Sequence, residues 1–427
     1  MHLNTTQPRR RLFLYGLIAG LAILTSLLLT RNIDFRVYWY AERALMDGSR
    51  PLYGPSSGIG FPMYYRYPPV SYILLWPLGQ MSLAWAGFIW MLGSWVIATA
   101  AVILTVRTAR LWFSRNAIFA ACAFMLAYVV LAIRYGNVQP YLIAMILVAL
   151  VVSETHPVAS ASLLALAITF KIWPLFFAPW FLRRSRRMVL VWLIPAMLLL
   201  WVVPLIAWSP SRYLDLIGQW YHAEVQSVGV NSEMWYFPGQ SLRGLLLRYL
   251  TVSEPWAKGF PDVHMFSFSP AAVVRVWEVT ATVTYAAACI AMLRSDYRKR
   301  WIWDGASFAL FTLLEPFGPI SGMISLGPAV LIAAAAYSRE SCSAESSDSL
   351  ARRLFAGACA LSFFGAVMQY KPLLRLLLVS GLDFYAALLL FTALMLWTRY
   401  PAPAGNEAGP SGSAVPGSNR SATVVFP

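Results

Sequence analysis

Apolar runs of around twenty residues recur along nearly the whole chain, separated by short basic loops and by two longer polar stretches rich in Trp, Tyr and Pro. A helix of about twenty apolar residues spans the hydrocarbon of a bilayer. In hydrocarbon every backbone N–H and C=O has to be satisfied within its own segment, so such runs become helices. The pattern predicts an all-α fold, a polytopic transmembrane helical bundle of about 10–13 helices. The first run, residues 11–30, follows Pro8-Arg9-Arg10-Arg11. It is longer than the apolar part of a secretion signal and no small-residue cleavage site closes it. It is therefore expected to be the first membrane helix, with the N-terminus in the cytoplasm.

The basic loops are Arg9–Arg11, Arg107–Arg115, Arg183–Arg187, Arg294–Arg300, Arg352–Arg353 and Arg399. Placing all six in the cytoplasm satisfies the positive-inside rule. The long stretches, about 31–66 and 209–270, then face outward, together with Arg134–Gln139, Glu315–Pro319 and Gln369–Pro372. Parity requires residues 67–106 to cross an odd number of times, yet they break near Pro77–Gly79, and a half-depth helix is expected to begin at Pro68-Pro69. Residues 157–182 form a second pair of short pieces around Phe170-Lys171-Ile172-Trp173-Pro174. Broken helices survive at membrane depth where they line a cavity or are buried in protein, so both breaks point to a cavity opening outward. Residues 1–400 are read as one membrane domain. The Gly-, Pro- and Ser-rich residues 401–427 are read as a disordered cytoplasmic tail, and Ser338–Ser349 as a flexible cytoplasmic loop.

Composition agrees with this reading. Of 427 residues, 59% are hydrophobic and 12% charged, too few charges to coat a soluble surface. The net charge of +15 would suggest nucleic acid in a soluble protein. Here the basic residues lie in loops between apolar runs, so the excess reads as topological signal and no nucleic-acid partner is expected. The four cysteines have no metal-ligand spacing, and there is no Asp-x-Asp, Gly-rich phosphate loop or nucleophile elbow. Neither a cofactor nor a metal is expected.

Candidate chemistry concentrates in the first long stretch. Residues 34–46 contain neither Gly nor Pro and are expected to form a helix on which Asp34, Tyr38 and Glu42 share a face and Arg36, Tyr40 and Arg43 another. A carboxylate facing a cavity can serve as general base on a hydroxyl nucleophile. The alternative is an ordinary first-turn acid favoured by the helix dipole. Lys171 interrupts an apolar stretch, and an ionisable group at membrane depth suggests function, unless the side chain snorkels to the interface. In the second long stretch, His222 and Glu224 stand among aromatic residues that also suit an interfacial belt.

Asp34-Phe35-x-Val37-Tyr38, Gly48-x-x-Pro51-Leu52-Tyr53 and Tyr67-Pro68-Pro69 together resemble the opening of glycosyltransferase family 87, of the GT-C superfamily. Gly136-Asn137-Val138-Gln139 resembles that family's Gly-Gln-Val-Asn turn with the two amides exchanged. Lys171-Ile172-Trp173-Pro174 resembles its Lys-x-x-Pro break, and Gln240-Ser241-Leu242-x-Gly244 with Arg248 its second outer loop. The matches run over roughly residues 30–330. The resemblance implies transfer of a sugar, mannose first among candidates, from a polyprenyl-phosphate donor to a glycolipid, glycan or protein acceptor outside the cytoplasm, with inversion.

By the same resemblance Asp34 is the catalytic base. Arg36, Arg66, Arg134, Lys171 and Arg248 are candidates for the donor phosphate, and Tyr38, Tyr67, Asn137, Gln139, His222, Gln240 and Glu315 for the substrate pocket. One departure stands out. The family's late outer loop carries a Pro-x-Ser-Trp-x-His element, whereas this chain reads Leu314-Glu315-Pro316-Phe317-Gly318-Pro319 and has no histidine after His264. A transporter or flippase of a lipid-linked sugar is the competing reading, although no internal repeat is visible.

Overall fold

The computed structural model describes residues 33–47, 52–53, 65–226, 239–252, 261–316, 318, 320–340, 346–367 and 371–399. The expected first membrane helix (11–30), the Gly48 and Pro51 positions and the 401–427 tail lie outside the described residues. Helices α1 (Ile33–Asp47) and α2 (Val70–Gly79) precede a long α3 (Leu83–Thr108) and α4 (Arg115–Tyr135). Then come α5 (Gln139–Val152), α6 (Pro157–Phe170), a 3₁₀ helix (Trp173–Phe181), α7 (Met188–Val202) and α8 (Pro210–Trp220). The remainder comprises α9 (Leu242–Leu250), α10 (Pro270–Arg294), α11 (Arg300–Leu314), α12 (Gly327–Glu340), α13 (Ser346–Val367), α14 (Lys371–Ser380) and α15 (Leu382–Arg399). There is no strand among the described residues.

Among the described residues, five helical segments are long and apolar enough to cross a membrane: Leu83–Thr108, Arg115–Ala132, Met188–Ile206, Pro270–Arg294 and Leu382–Arg399. The chain is an integral membrane protein. Local sequence sets several starts. Ser82, Ser209, Ser241 and Ser269 each cap a helix by accepting a backbone N–H two or three residues into it, and Pro210 and Pro270 follow at the first helical position, where the missing N–H costs nothing. The expected break at Pro77–Gly79 is present: α2, with Pro69 at its N-cap, has 10 residues, and α3, with 26, is long and apolar enough to cross a membrane. The second expected break is also present, since α6 ends at Phe170 and the 3₁₀ helix starts at Trp173.

Two expectations are corrected. Residues 209–270 hold helices α8 and α9 and so are not simply loop. Of Ser338–Ser349, the described residues are helical: Ser338 lies within α12, where its Oγ accepts the Ser114 N–H at 2.8 Å, and α13 begins at Ser346.

Helices α5 and α11 are almost wholly buried, α5 apolar on all sides as expected of a helix surrounded by protein, and α11 apolar around its buried Asp304. Around them pack α3, α6, α12 and α15, with α13 running along α15 and α7 along α6. Basic loops gather at one end. Lys299 Nζ donates to the Thr398 carbonyl at 2.5 Å, and Arg183 donates to the Met292 carbonyl at 2.6 Å. A chain of rings, Tyr337–Phe355–Trp397, joins this end to the start of α13, where Arg352 lies over Tyr337.

The lock at this end is Arg186, which is 1% exposed and pairs with Asp304, 3% exposed, through bonds of 2.7 and 2.8 Å. Glu154 lies 3.5 Å from its Nε. A bidentate guanidinium–carboxylate pair matches both shape and charge, and removing one partner leaves an uncompensated buried ion. Replacing Asp304 by Asn is expected to destabilise the fold by about 3–5 kcal/mol. The exposed Arg212–Asp215 pair is expected to contribute under about 1 kcal/mol. Unfolding of the purified protein in detergent, comparing Asp304→Asn with Asp215→Asn, measures both, and equal effects would contradict the assignment.

Candidate functional site

At the end of the bundle opposite the Arg186–Asp304 lock, α1 carries Asp34 in its first turn. The helix turns Phe35, Val37, Tyr38 and Ala41 into the core. Trp90 of α3 seats it, stacking on Phe35 at 5.6 Å and meeting the Tyr38 ring edge-on at 5.6 Å. The Trp90 indole N–H also donates to the Gly136 carbonyl at 2.9 Å. Gly136 has a φ of +64°, a left-handed conformation that costs glycine little, and it turns the chain out of α4 and into α5.

That turn aims Asn137 at Asp34. The Asn137 Nδ2 donates to Asp34 Oδ2 at 2.8 Å, while the Gln139 backbone N–H donates to Asn137 Oδ1 at 2.8 Å. The second bond fixes the amide's orientation, since only its oxygen can accept, so its nitrogen must face the carboxylate. Asp34 is half-buried, and its other oxygen receives no hydrogen bond from a described side chain.

Lys171 comes from the broken segment. It is extended (φ −144°, ψ 142°) between α6 and the 3₁₀ helix, so its side chain projects from a gap in the ladder. Its Nζ lies over the Tyr67 ring, 5.7 Å from the centroid, and the Tyr67 hydroxyl shares a hydrogen bond of 2.8 Å with Tyr38. Glu315 approaches from the C-terminal end of α11, its loop held by two contacts from the segment leading into α9. The Gln240 N–H donates to the Gly318 carbonyl at 2.6 Å, and Arg243 reaches the Pro316 carbonyl at 3.4 Å.

The electrostatics follow from burial. Desolvation raises the Asp34 carboxyl above the ordinary aspartate range, with the charge of Lys171 and the Asn137 hydrogen bond partly opposing it. Burial lowers the Lys171 ammonium, opposed by the two acids it faces, Asp34 and Glu315. Burial pushes Glu315 up to about 8, and its Oε1 has no hydrogen-bond partner. Lys171 thus faces two carboxyls, both raised by burial and both partly held down by its charge.

Of the residues singled out in the sequence, Asp34, Tyr38, Tyr67, Asn137, Lys171 and Glu315 converge here. The charge of Arg66 is felt by both Lys171 and Tyr67. Gln139 does not converge: its side chain turns inward to donate to Ser325 Oγ at 2.9 Å. Gln240 and Arg248 form a separate cluster that caps the C-terminal end of α14. The Gln240 Nε2 donates to the Leu378 carbonyl and the Arg248 Nε to the Val379 carbonyl, each at 2.9 Å. Arg248 has no carboxylate partner among the described residues, and its Nη2 makes no hydrogen bond. Arg36 is half-buried on α1, and His222 is exposed on the turn after α8. The side chains of Arg134 and Glu224 lie outside the described residues. Trp90 went unrecognised in the sequence because a tryptophan within an apolar run reads as lipid-facing; only its neighbours reveal its role.

The raised Glu315 carboxyl has a stability consequence. An unfolded glutamate loses its proton near pH 4.5, whereas the folded one keeps it up to about 8. Between these values the folded state binds the extra proton, so this contribution falls as pH rises. From pH 5 to pH 8 the thermal midpoint of the wild type is expected to drop more steeply than that of Glu315→Gln. Parallel profiles would show that Glu315 is not held as a neutral acid.

Comparison with known proteins returned no matching curated protein and no matching solved structure. The family model for glycosyltransferase family 87 matches residues 65–314, a segment that contains Tyr67, Asn137 and Lys171 and is bounded by Asp34 on one side and Glu315 on the other. Covering more than half of the chain, this match establishes that the protein belongs to glycosyltransferase family 87 and is a glycosyltransferase of the membrane.

Proposed function

We propose that this enzyme moves a sugar, most simply mannose, from a polyprenyl-phosphate donor to an acceptor hydroxyl on the non-cytoplasmic side, with inversion and with Asp34 as general base. The observation that carries this reading is the Asp34–Asn137–Lys171 arrangement, a half-buried carboxylate with one oxygen tethered and the other unengaged. The free oxygen takes the proton of the acceptor hydroxyl as that oxygen bonds to the anomeric carbon. The bond from that carbon to the phosphate oxygen breaks on the opposite face, and the electron pair leaves with the phosphate. A carboxyl raised toward neutrality is the stronger base for this step.

Charge on the departing phosphate needs cations or hydrogen-bond donors, for which Lys171, Arg66 and Arg248 remain the candidates, with Arg36 and Arg134 as further ones. Orientation rests on the gathering of basic loops at the end remote from Asp34, which by the positive-inside rule is the cytoplasmic end. A glycolipid, a glycan or a protein would each supply a suitable acceptor hydroxyl. A carrier of lipid-linked sugar has no need of a tethered base, and this favours the transferase over the flippase.

Replacing Asp34 by Asn retains size and hydrogen bonding while removing basicity, and is expected to lower turnover by about 10²–10⁴-fold. Membranes holding wild type or Asp34→Asn at equal expression would receive radiolabelled polyprenyl-phosphate mannose and a total lipid extract. Transfer by wild type alone supports both the donor and the base. Equal transfer by both proteins removes Asp34 from the chemistry, and transfer by neither removes mannose as the sugar.

A further inference from the structure

Trp90 joins the two elements that carry the Asp34–Asn137 pair. It is 6% exposed. Its ring supports α1 through Phe35 and Tyr38, and its indole N–H reaches the Gly136 carbonyl at 2.9 Å. An indole has one N–H and no acceptor, so that bond commits the ring to one orientation.

The Gly136 carbonyl belongs to the peptide unit that leads into Asn137. A peptide unit is planar and stiff, so holding its oxygen sets the direction in which the chain arrives at Asn137. The Asn137 amide then needs only its roll fixed, which the Gln139 N–H supplies. On the far side of the turn, the Tyr141 hydroxyl donates to the Trp90 carbonyl at 2.6 Å, and the two rings lie 4.5 Å apart. Gly93, one turn further along α3, leaves room for that hydroxyl, since a Cβ there would collide with it. The segment from Gly136 to Tyr141 is thus gripped at both ends by one residue, and the same residue seats the helix of Asp34.

We propose that Trp90 is a positioning residue for the transfer reaction, holding Asn137 at hydrogen-bonding distance from Asp34 without itself touching substrate. This rests on the reading of Asp34 as the base. The Asn137 bond and the charge of Lys171 favour ionised Asp34; the Tyr38 and Tyr67 hydroxyls also feel its charge, and Glu315 and Arg66 act on Lys171. Loss of the Asn137 bond leaves desolvation less opposed, so the carboxyl ionises at higher pH.

Trp90→Phe keeps a ring in place and removes the N–H. Its kcat/KM for radiolabelled polyprenyl-phosphate mannose would be followed against pH, a profile that reports the free enzyme. Asn137→Ala, the double variant and Trp180→Phe would be measured beside it. Trp180→Phe removes a comparable buried bond, from its indole N–H to the Trp303 carbonyl at 3.1 Å, next to Asp304 of the lock. In Trp90→Phe the rising limb is expected to move to higher pH, with kcat lowered by up to about 10²-fold and the donor KM little changed. Asn137→Ala shifts the limb the same way, the double variant shifts it no further, and Trp180→Phe leaves it in place.

An unmoved limb in Trp90→Phe, or shifts that add in the double variant, would overturn the proposal. Should Trp90→Phe not fold, Tyr141→Phe releases the other end of the turn while keeping its ring, and the same limb shift is required of it. If no protein transfers label, thermal midpoints decide, because residues acting as one unit give non-additive losses. Additive losses for Trp90→Phe and Asn137→Ala then remove the positioning role. Non-additive losses uphold it, and only the assigned reaction fails.

Discussion

Lys171 faces carboxyls from opposite ends of the chain, Asp34 on α1 and Glu315 after α11, and the architecture at this end of the bundle arranges that meeting. A lysine inside an unbroken helix would point along one fixed face; the extended backbone between α6 and the 3₁₀ helix frees it to reach inward. The Gly136 turn brings Asn137 to the far side of Asp34, and the Gln240 and Arg243 contacts hold the loop that delivers Glu315. In a poorly solvated setting a lone ammonium or carboxylate would give up its charge. Here the charges of Lys171 and Asp34 each favour the ionised form of the other, against the desolvation of both.

The two ends of the bundle treat charge in opposite ways. At the basic end, Arg186 meets Asp304 through two short bonds with Glu154 alongside, and Arg183 is satisfied by a carbonyl and a hydroxyl. Arg186 Nε, 3.5 Å from Glu154, makes no hydrogen bond. At the Asp34 end, oxygens of Glu42 and Glu315 and a nitrogen of Arg248 are buried without partners. Unmatched polar groups are costly, and folded chains keep them where function requires.

Much of this was legible in the sequence wherever one residue type forces one local outcome. The Gly- and Pro-free stretch 34–46 became α1, Pro68-Pro69 opened α2, and Lys171-x-x-Pro174 broke the segment as expected. The shared face of Asp34, Tyr38 and Glu42 could be read from helical spacing alone. Long-range pairings could not. Arg186 sat in a cluster that composition assigned to topology, and nothing local separates it from the exposed Arg184 and Arg187 beside it. Of the two amides in Gly136-Asn137-Val138-Gln139, either could have met the acid, and only the handedness of the turn selects Asn137 and sends Gln139 toward Ser325. The helices inside 209–270 were hidden because their aromatic content matches an interfacial belt.

The carboxyl at position 315 bears directly on what the site can receive. An ionised Glu315 beside Asp34 would outweigh Lys171 and repel any phosphate brought near. Held as a neutral acid, with its ionisation pushed up to about 8, it leaves Lys171 balanced against Asp34 alone. Its own O–H is then available to donate to a phosphate or sugar oxygen. Burial, which makes the ionised form expensive, therefore makes a glutamate compatible with the proposed phosphate donor, in a loop where the resemblance leads one to expect histidine. The same burial raises Asp34 by less, because Asn137 and Lys171 both stabilise its charged form. On the proposed mechanism the two carboxyls divide into a hydrogen-bond donor and a base, and the division follows from which of them receives hydrogen bonds and charge from its neighbours.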